Sequence, residues 1–337
     1  MPPREIDPVA LTRALVRIPS PTGEERRVVE FLAGTLRRLG YHVRLQRVSP
    51  GRNNLLAWRE PPVVVFSTHL DCVPPHVPLR ETRTRIYGRG ACDAKGIAAA
   101  MVAAAETLAA RGERRLGLLF LVGEETGGAG ARAARTLRPR GRYMINGEPT
   151  GNRLVTGAKG ALWIELTARG KAAHSAYPER GRSAIDRLLD TVDRIRRLPL
   201  PSHPELGPAT LNIGIVRGGV AGNVISPGAS ATLVFRTVTP TRALKGAIQS
   251  ALVPDVKARV TVEVPGFLSA APEGWDTTVV SFASDLPFLS AWGTGYLMGP
   301  GSIEVAHTEK EYIAKAELRA GVAGYVRLAL DLLQRPV

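Results

Sequence analysis

Histidine and carboxylate side chains stand directly after short apolar runs at three places in the sequence. His69 ends VVVFSTH, Glu124 and Glu125 follow LLFLVG, and Glu148 follows YMING. Apolar runs of this kind are typical of strands that are buried on both faces of a parallel sheet. Ligands of open α/β sheets bind beyond the carboxyl ends of the strands, so we expect these side chains to line one crevice.

Two further candidates stand in glycine-containing loops. Asp93 lies within GRGACDAKG, and His307 follows the turn GPGSIEVA. Several carboxylates in one partly dry cleft would be forced to take up protons, and divalent cations remove that cost. Imidazole and carboxylate ligands suit Zn²⁺, with Co²⁺ or Mn²⁺ as alternatives. The set is typical of a hydrolytic site that holds two metal ions and shares one carboxylate between them.

The adjacent pair Glu124 and Glu125 fits the same chemistry, because one carboxylate can bind metal while its neighbour takes a proton from the attacking water. Each signal also has an ordinary structural explanation when it stands alone: a solvated acidic pair, a structural histidine, or a helix cap at Asp93. Cys72 and Cys92 could bind metal, but oxygen and imidazole donors already suffice, so we expect small core residues there. Together the signals favour a metal site.

Basic residues outnumber acidic ones, with 45 Lys and Arg against 30 Asp and Glu, a formal net charge of +15. Residues 158–265 hold 15 basic and 8 acidic residues and the remainder holds 30 and 22, so the excess is scattered. The sequence has no basic tail, no aromatic-interleaved basic stripe and no zinc-finger spacing, which disfavours nucleic-acid binding. A non-catalytic basic binding protein stays open as an alternative of another class.

The sequence also bears on location. No apolar run approaches the roughly 20 residues that span a bilayer, so we expect no membrane segment. The start, MPPREIDPVALTRALVRIPS, carries charge and has no apolar signal core. Two cysteines exclude a disulfide scaffold. We therefore expect a cytoplasmic protein.

Apolar strands alternate with helices up to about residue 157 and again from residue 266. This predicts an α/β domain, 1–157 and 266–337, with a mostly parallel sheet flanked by helices. Residues 158–265 follow the order β-α-β-β-α-β, which predicts an inserted two-layer α+β lid. At the start of the chain, Asp7 is expected to cap the first helix, and Thr22 and Glu25 to form a capping box for the second.

The motifs resemble those of the M20 family of metallohydrolases, which includes acetylornithine deacetylase, succinyl-diaminopimelate desuccinylase, aminoacylases, and di- and carboxypeptidases. Matching segments follow the family's order along nearly the whole chain: HLDCVP from His69, GRGACDAKG from Gly88, GEETGG from Gly123, NGEPT from Asn146, HSAYP from His174, NVISP from Asn223, and AH ending at His307. Each segment is weak alone, but the set is highly specific. The resemblance implies a zinc-exopeptidase-like fold whose lid also forms a homodimer.

The resemblance implies metal-binding roles for five residues. His69 and Glu148 would bind one zinc ion, Glu125 and His307 would bind the other, and Asp93 would bridge the two. These five residues form the expected metal site.

Five other residues receive roles from the same resemblance. Asp71 would orient the ring of the first histidine ligand, and Glu124 would be the general base that later protonates the leaving amine. His174 would reach the opposite subunit's site and stabilise the oxyanion of the reaction. Asn223 and Arg236 would hold a substrate carboxylate.

Two departures from the common family pattern guide the expected substrate. The interval from His69 to Asp93 is only 24 residues and lacks the Trp-containing insertion of many relatives. This resembles the subgroup that releases lysine or ornithine from an acidic amino-group carrier protein in amino-acid biosynthesis. Glu148, where many peptidase members have Asp, points toward the deacylase side of the family. We expect a di-metal amidohydrolase acting on a small or carrier-borne N-acyl amino acid; a di- or tripeptidase or carboxypeptidase is the alternative.

Overall fold

A computed structural model of the chain describes residues 6–335. Its α-helices are α1 (Pro8–Val16), α2 (Arg26–Arg38), α3 (Lys95–Ala110), α4 (Ala129–Ala134), α5 (Ala184–Arg196), α6 (Arg242–Ala251) and α7 (Lys315–Leu333). Its strands are β1 (His42–Ser49), β2 (Arg52–Trp58), β3 (Val64–His69), β4 (Arg80–Glu81), β5 (Arg85–Tyr87), β6 (Leu116–Leu121), β7 (Tyr143–Asn146), β8 (Leu154–Ala158), β9 (Gly160–Arg169), β10 (Ser202–His203), β11 (Gly207–Pro208), β12 (Thr210–Gly218), β13 (Gly228–Thr237), β14 (Val256–Val264), β15 (Phe267–Leu268), β16 (Thr277–Val280), β17 (Thr294–Leu297) and β18 (Tyr312–Ala314). Short 3₁₀ helices cover Pro178–Arg180 and Leu286–Trp292.

The chain divides into two compact units. The first runs to Thr156 and resumes at Ser269–Thr278 and again from Ser284. The second comprises Gly157–Leu268 and Val279–Ala283. The sequence predicted the first domain as 1–157 together with 266–337 and the second as 158–265. Residues 1 and 337 lie outside the described residues.

The first unit is built on a six-stranded sheet in the order β1-β2-β6-β3-β7-β17. Strand β3 pairs in parallel with β6 and β7, and β17 pairs in parallel with β7. Strands β1 and β2 add an antiparallel edge. Every residue of β3, β6 and β7 is buried, which explains why their sequences do not alternate between polar and apolar residues. The predicted α/β class with a mostly parallel sheet is confirmed.

Three helices of the first unit pack against one another: α1 and α7 both contact α3. Nearly every residue of α3 is buried, and its alanines keep its surface flat enough for close packing on both sides. Helix α1 begins as predicted, since the Asp7 carboxylate accepts a hydrogen bond from the Val9 N–H at 3.0 Å. The helical layer thus covers the sheet that carries the candidate site.

The start of α2 differs from the sequence-based expectation, and the predicted capping box was wrong. The Thr22 hydroxyl donates to the Asp71 carboxylate at 2.8 Å instead of capping the helix. Glu25 is fully buried and accepts a hydrogen bond from Arg52 Nε at 2.8 Å, and it makes no side-chain cap. Both polar side chains form hydrogen bonds with residues of distant segments instead of capping the helix, and a local sequence pattern does not reveal such partners.

The second unit is a four-stranded antiparallel sheet in the order β12-β13-β9-β14, with α5 and α6 packed on it. Its elements follow the predicted order β-α-β-β-α-β. Ser183 caps α5 by accepting a hydrogen bond from the Asp186 N–H at 3.2 Å. Strand β13 alternates buried and half-buried residues along its length, because one face of the sheet packs against the two helices.

Across residues 6–335, no helix combines the length and apolar character needed to cross a membrane.

Candidate metal centre

The candidate site lies at the carboxyl ends of three neighbouring strands of the first unit. His69 is the last residue of β3, Glu124 and Glu125 occupy the turn after β6, and Glu148 lies two residues beyond β7. Because β6, β3 and β7 are adjacent and parallel, their carboxyl ends meet at the same edge of the sheet. The sheet therefore brings together residues that are up to 79 positions apart in the sequence.

Five side chains form two groups that share one carboxylate. The first group is His69, Asp93 and Glu148; the second is Asp93, Glu125 and His307; within each group the candidate ligand atoms all lie within 4.8 Å of one another. Asp93 Oδ1 lies 3.0 Å from His69 Nε2, and Asp93 Oδ2 lies 3.3 Å from His307 Nε2. Each oxygen of Asp93 therefore faces a different histidine, as a bridging ligand must. The structure thus brings all five predicted metal ligands together.

The electrostatics of the group suit cations. Burial raises the pKa of Glu148 well above its ordinary value, and burial raises the pKa of Glu125 as well. Glu148 Oε1 is buried and has no hydrogen-bond partner among residues 6–335. A carboxylate oxygen left in that state is costly, and a divalent ion with nitrogen and oxygen ligands would satisfy it. The residues present therefore fit two divalent metal ions.

The pKa values of the two histidines are raised as well, which in their case favours the charged form. Burial disfavours the charged form of His69, but hydrogen bonds to Asp71 and Asp93 outweigh it and raise its pKa well above the ordinary value. Hydrogen bonds to Asp93 and Glu125 raise the pKa of His307 to about 10. Without cations, protons on the histidines balance the carboxylates, so metal binding should release protons.

Glu124 stands beside the metal-binding group but belongs to neither set of ligands. Burial, together with the nearby Glu148 carboxylate, raises its pKa well above the ordinary value. A carboxylate that readily takes up a proton is suited to general acid–base catalysis. The preceding Gly123 has φ +78°, and a Cβ there would lie 2.7 Å from Arg52 Nη2. The turn that presents Glu124 therefore requires glycine.

Asp71 holds this turn by its main chain. Its carboxylate accepts hydrogen bonds from the N–H groups of Gly123, Glu124 and Glu125 at 2.9, 3.1 and 3.2 Å. Its contact with the His69 ring is made by its carbonyl oxygen, which lies 2.9 Å from Nδ1, while the nearest carboxylate oxygen lies 3.6 Å away. The side chain of Asp71 thus lies closer to the turn that carries the candidate base than to the imidazole.

Comparison with known proteins agrees with this geometry. The model of the family "Peptidase family M20/M25/M40" matches residues 65–331. The chain belongs to this family. A peptidase M20 domain-containing protein of Schizosaccharomyces pombe is 36% identical over 335 residues, covering 96% of this chain and 84% of that protein. A probable carboxypeptidase of Aspergillus flavus is 37% identical over 373 residues, covering 96% of this chain and 87% of the relative.

Solved structures of M20 enzymes share the fold. A tripeptidase from Staphylococcus aureus superposes with a TM-score of 0.79 at 22% identity and covers 99% of this chain and 100% of that one. The M20 metallo-carboxypeptidase of Sulfolobus solfataricus gives a TM-score of 0.77 at 18% identity, covering 97% and 99%. As a member of the M20 family, the chain is a hydrolase that acts on amide or peptide bonds. The family's metallopeptidase character implies divalent metal ions, and the two clustered groups are the candidate ligands.

Several residues that shape the M20 site were missed in the sequence. Glu311 is fully buried beside Asp93, and Arg89 pairs with it at 2.8 Å. Asp285 is buried, its Oδ2 has no hydrogen-bond partner in the part of the chain that the structure describes, and burial raises its pKa to about 7. Arg89 lies inside the matching segment GRGACDAKG, but nothing in that segment indicates its partner. Glu311 and Asp285 lie in no matching segment, and only the AH motif shortly before Glu311 marks its position.

Three predicted site residues belong to the second unit. His174 is exposed and pairs with Val224 in an isolated β-bridge. The Asn223 carbonyl accepts a hydrogen bond from the Ser175 N–H at 2.9 Å, so the His174 and Asn223 segments are neighbours. Arg236 is half-buried on β13, opposite Thr210 of β12. Their roles toward a substrate stay predictions.

Cys72 and Cys92, expected as core residues, are both buried and free. Asp93 is not a helix cap, because the residue that caps α3 is Ala94 and no side chain caps that helix. The alternative structural explanation for Asp93 was therefore wrong.

Proposed function

We propose that this protein is a metal-dependent peptidase that releases an amino acid from the carboxyl end of short peptides. The observation that carries the proposal is the position of Asp93, whose two oxygens face the histidines of two ligand groups. Curated relatives that are named probable carboxypeptidases support the peptidase alternative better than the N-acyl amino acid deacylase that the sequence first suggested.

The five clustered side chains would hold two divalent ions. Such ions would supply a Lewis acid for the scissile carbonyl and lower the pKa of water toward about 7. Zn²⁺ suits the imidazole and carboxylate donors best, with Co²⁺ or Mn²⁺ as alternatives. The chain's own contribution is to keep Asp93 between the two groups.

Glu124 would move the protons of the reaction. Its raised pKa suits it to take a proton from the attacking water and to return one to the leaving nitrogen. The hydrogen bonds from its turn to Asp71 keep the carboxylate beside the cluster. General acid–base catalysis of this kind contributes about 10²- to 10⁴-fold to a rate.

Substrate recognition is assigned to the second unit. Arg236 and Asn223 would hold the free carboxylate of the substrate, since a guanidinium group forms paired hydrogen bonds with a carboxylate. His174 would donate to the oxyanion of the reaction, from the partner subunit of a homodimer. A requirement for a free terminal carboxylate is the substrate feature that this assignment predicts.

The proposal is tested with protein reconstituted with Zn²⁺, Co²⁺ or Mn²⁺, with metal content measured. The panel contains dipeptides with a free carboxyl end, the same dipeptides as amides, N-blocked dipeptides, and N-acetylornithine. We expect turnover of free and N-blocked dipeptides and loss of turnover on the amides. If N-acetylornithine is the only substrate of the panel that is hydrolysed, the peptidase proposal is refuted and the N-acyl amino acid deacylase hypothesis is favoured.

The expected acidic carrier protein is tested in the same assay. If an acidic partner is steered by the net charge of +15, kcat/KM for a carrier-borne substrate should fall with salt more steeply than for the free one. Equal salt slopes for the two substrates would exclude the carrier.

A further inference from the structure

We propose that Glu311 is a positioning residue that fixes the shared carboxylate of Asp93 relative to His307. The inference rests on the proposed function and deepens it, because it concerns how Asp93 is held in a position where both metal-binding groups share it. Glu311 belongs to neither group of candidate ligands. It acts on the main chain that carries Asp93.

The contacts of Glu311 are directed at the loop before α3. Its Oε1 accepts hydrogen bonds from the N–H groups of Cys92 and Asp93, each at 3.1 Å. Its Oε2 accepts one from Arg89 Nη1 at 2.8 Å. The side chain is fully buried, so water does not compete for these bonds. One carboxylate thereby fixes the backbone at Asp93.

Arg89 completes a connection between the loop of Asp93 and the loop of His307. Its Nη1 also donates to the Thr308 carbonyl at 3.1 Å, and the Gly88 N–H donates to the Glu311 carbonyl at 3.1 Å. Arg89 itself is only 4% exposed. The two loops lie more than 200 residues apart in the sequence, and this buried ion pair connects them next to the candidate ligands.

The backbone conformation of His307 explains why its loop needs to be held in place. Its backbone has φ +63°, a left-handed conformation that residues other than glycine adopt infrequently. Such a conformation persists where the surrounding structure holds it. The hydrogen bond from Arg89 to the next residue, Thr308, is one such restraint. We therefore expect the 3.3 Å approach of His307 to Asp93 Oδ2 to depend on Glu311 and Arg89.

The test compares Glu311→Gln with Glu106→Gln. Glu106, whose side chain is 2% exposed, forms an ion pair with the half-buried Arg59 at 2.8 Å in the same unit and belongs to neither ligand group. In each case glutamine keeps the shape and removes the charge, leaving an arginine without its charged partner. Both variants should lose thermal stability. Only Glu311→Gln should weaken binding of one of the two ions, by roughly 10- to 100-fold, as outer-shell substitutions do.

Mn²⁺ is the probe, with bound ions counted after dialysis and the EPR spectrum recorded. Two ions that share a carboxylate give an exchange-coupled spectrum, which a loss of stability alone would not change. We expect the wild type and Glu106→Gln to bind two ions and to show the exchange-coupled spectrum. We expect Glu311→Gln to bind one ion and to lose the exchange coupling. If Glu311→Gln does not fold, Glu311→Asp replaces it, since it keeps the charge but is too short to reach both N–H groups.

The outcomes separate the two proposals. Two coupled ions in the folded Glu311→Gln or Glu311→Asp protein, as in the wild type, would overturn the role of Glu311. Wild-type protein that binds no second ion would instead overturn the proposed two-metal function. Equal loss of ions in the Glu106 variant would show that the effect is general destabilisation, and would also overturn the inference.

Discussion

Asp285 offers a test of the electrostatics around the site. It is 2% exposed, and none of the described residues forms a hydrogen bond with its Oδ2. Burial raises the pKa of its carboxyl to about 7, with the Asp71 carboxylate adding to the effect. We expect Asp285→Asn to stabilise the metal-free protein at pH 8 and not at pH 4, because the amide has the same shape and carries no charge.

The sign and the size follow from proton linkage. Below about pH 4 the carboxyl is protonated in both the folded and the unfolded chain, and burial of its charge costs nothing. Between about pH 4 and 7 the unfolded chain loses the proton while the folded chain keeps it, so stability falls as pH rises. The difference between 3.8 and about 7 corresponds to roughly 4 kcal/mol, which is an upper estimate.

The assay is urea unfolding of chelator-treated wild type and Asp285→Asn at pH 4 and pH 8. Any constant cost of burying the amide, about 1–3 kcal/mol, cancels when the effect at pH 4 is subtracted from that at pH 8. The exposed Asp276→Asn serves as the control and should show no such difference. A stability effect of Asp285→Asn that is the same at both pH values would refute the reasoning.

Three further predictions concern the turn and the metals. Glu124→Gln should keep both metal ions and lose about 10²- to 10⁴-fold in kcat, and activity retained at confirmed metal content would remove Glu124 from the base role. Gly123→Ala should lower both Tm and kcat because its Cβ would meet Arg52. The control Gly151→Ala, also at positive φ but in open space, should lower the free energy of unfolding by only about 1–2 kcal/mol. Equal losses of stability for the two variants in calorimetry would contradict this prediction. Metal at about 100 times its Kd should stabilise the wild type by about 2.7 kcal/mol, and Asp93→Asn should abolish the rise in Tm measured by scanning calorimetry.

The sequence predicted the parallel sheet of the first unit and the set of histidine and carboxylate side chains that cluster at its edge, for related reasons. Strands β3, β6 and β7 are buried on both faces and each contains an apolar run, so the carboxyl ends of these strands could be located by inspection. Metal chemistry admits few side-chain types, so a histidine or carboxylate at such an end stands out. Both constraints are local and can be read from a few residues.

The position of Glu311 beside Asp93 was not predicted, because Glu311 accepts hydrogen bonds from main-chain N–H groups. The segment TEKE contains Glu309 and Glu311, and only the structure shows that Glu309 is exposed while Glu311 is fully buried against the loop of Asp93. A carboxylate that accepts an N–H leaves no signature in the residue that donates it. The surroundings that distinguish the two glutamates come from a segment more than 200 residues away.

The tripeptide Gly-Glu-Glu occurs twice and shows where the information lies. At Gly23–Glu25 it precedes a helix, and its second glutamate forms a buried ion pair with Arg52. At Gly123–Glu125 it follows a buried strand, and its second glutamate approaches His307 at 3.1 Å. The same three residues support packing in one place and candidate chemistry in the other. The element that precedes them therefore decides the role, because only the end of a parallel strand directs both carboxylates toward the crevice shared with its neighbours.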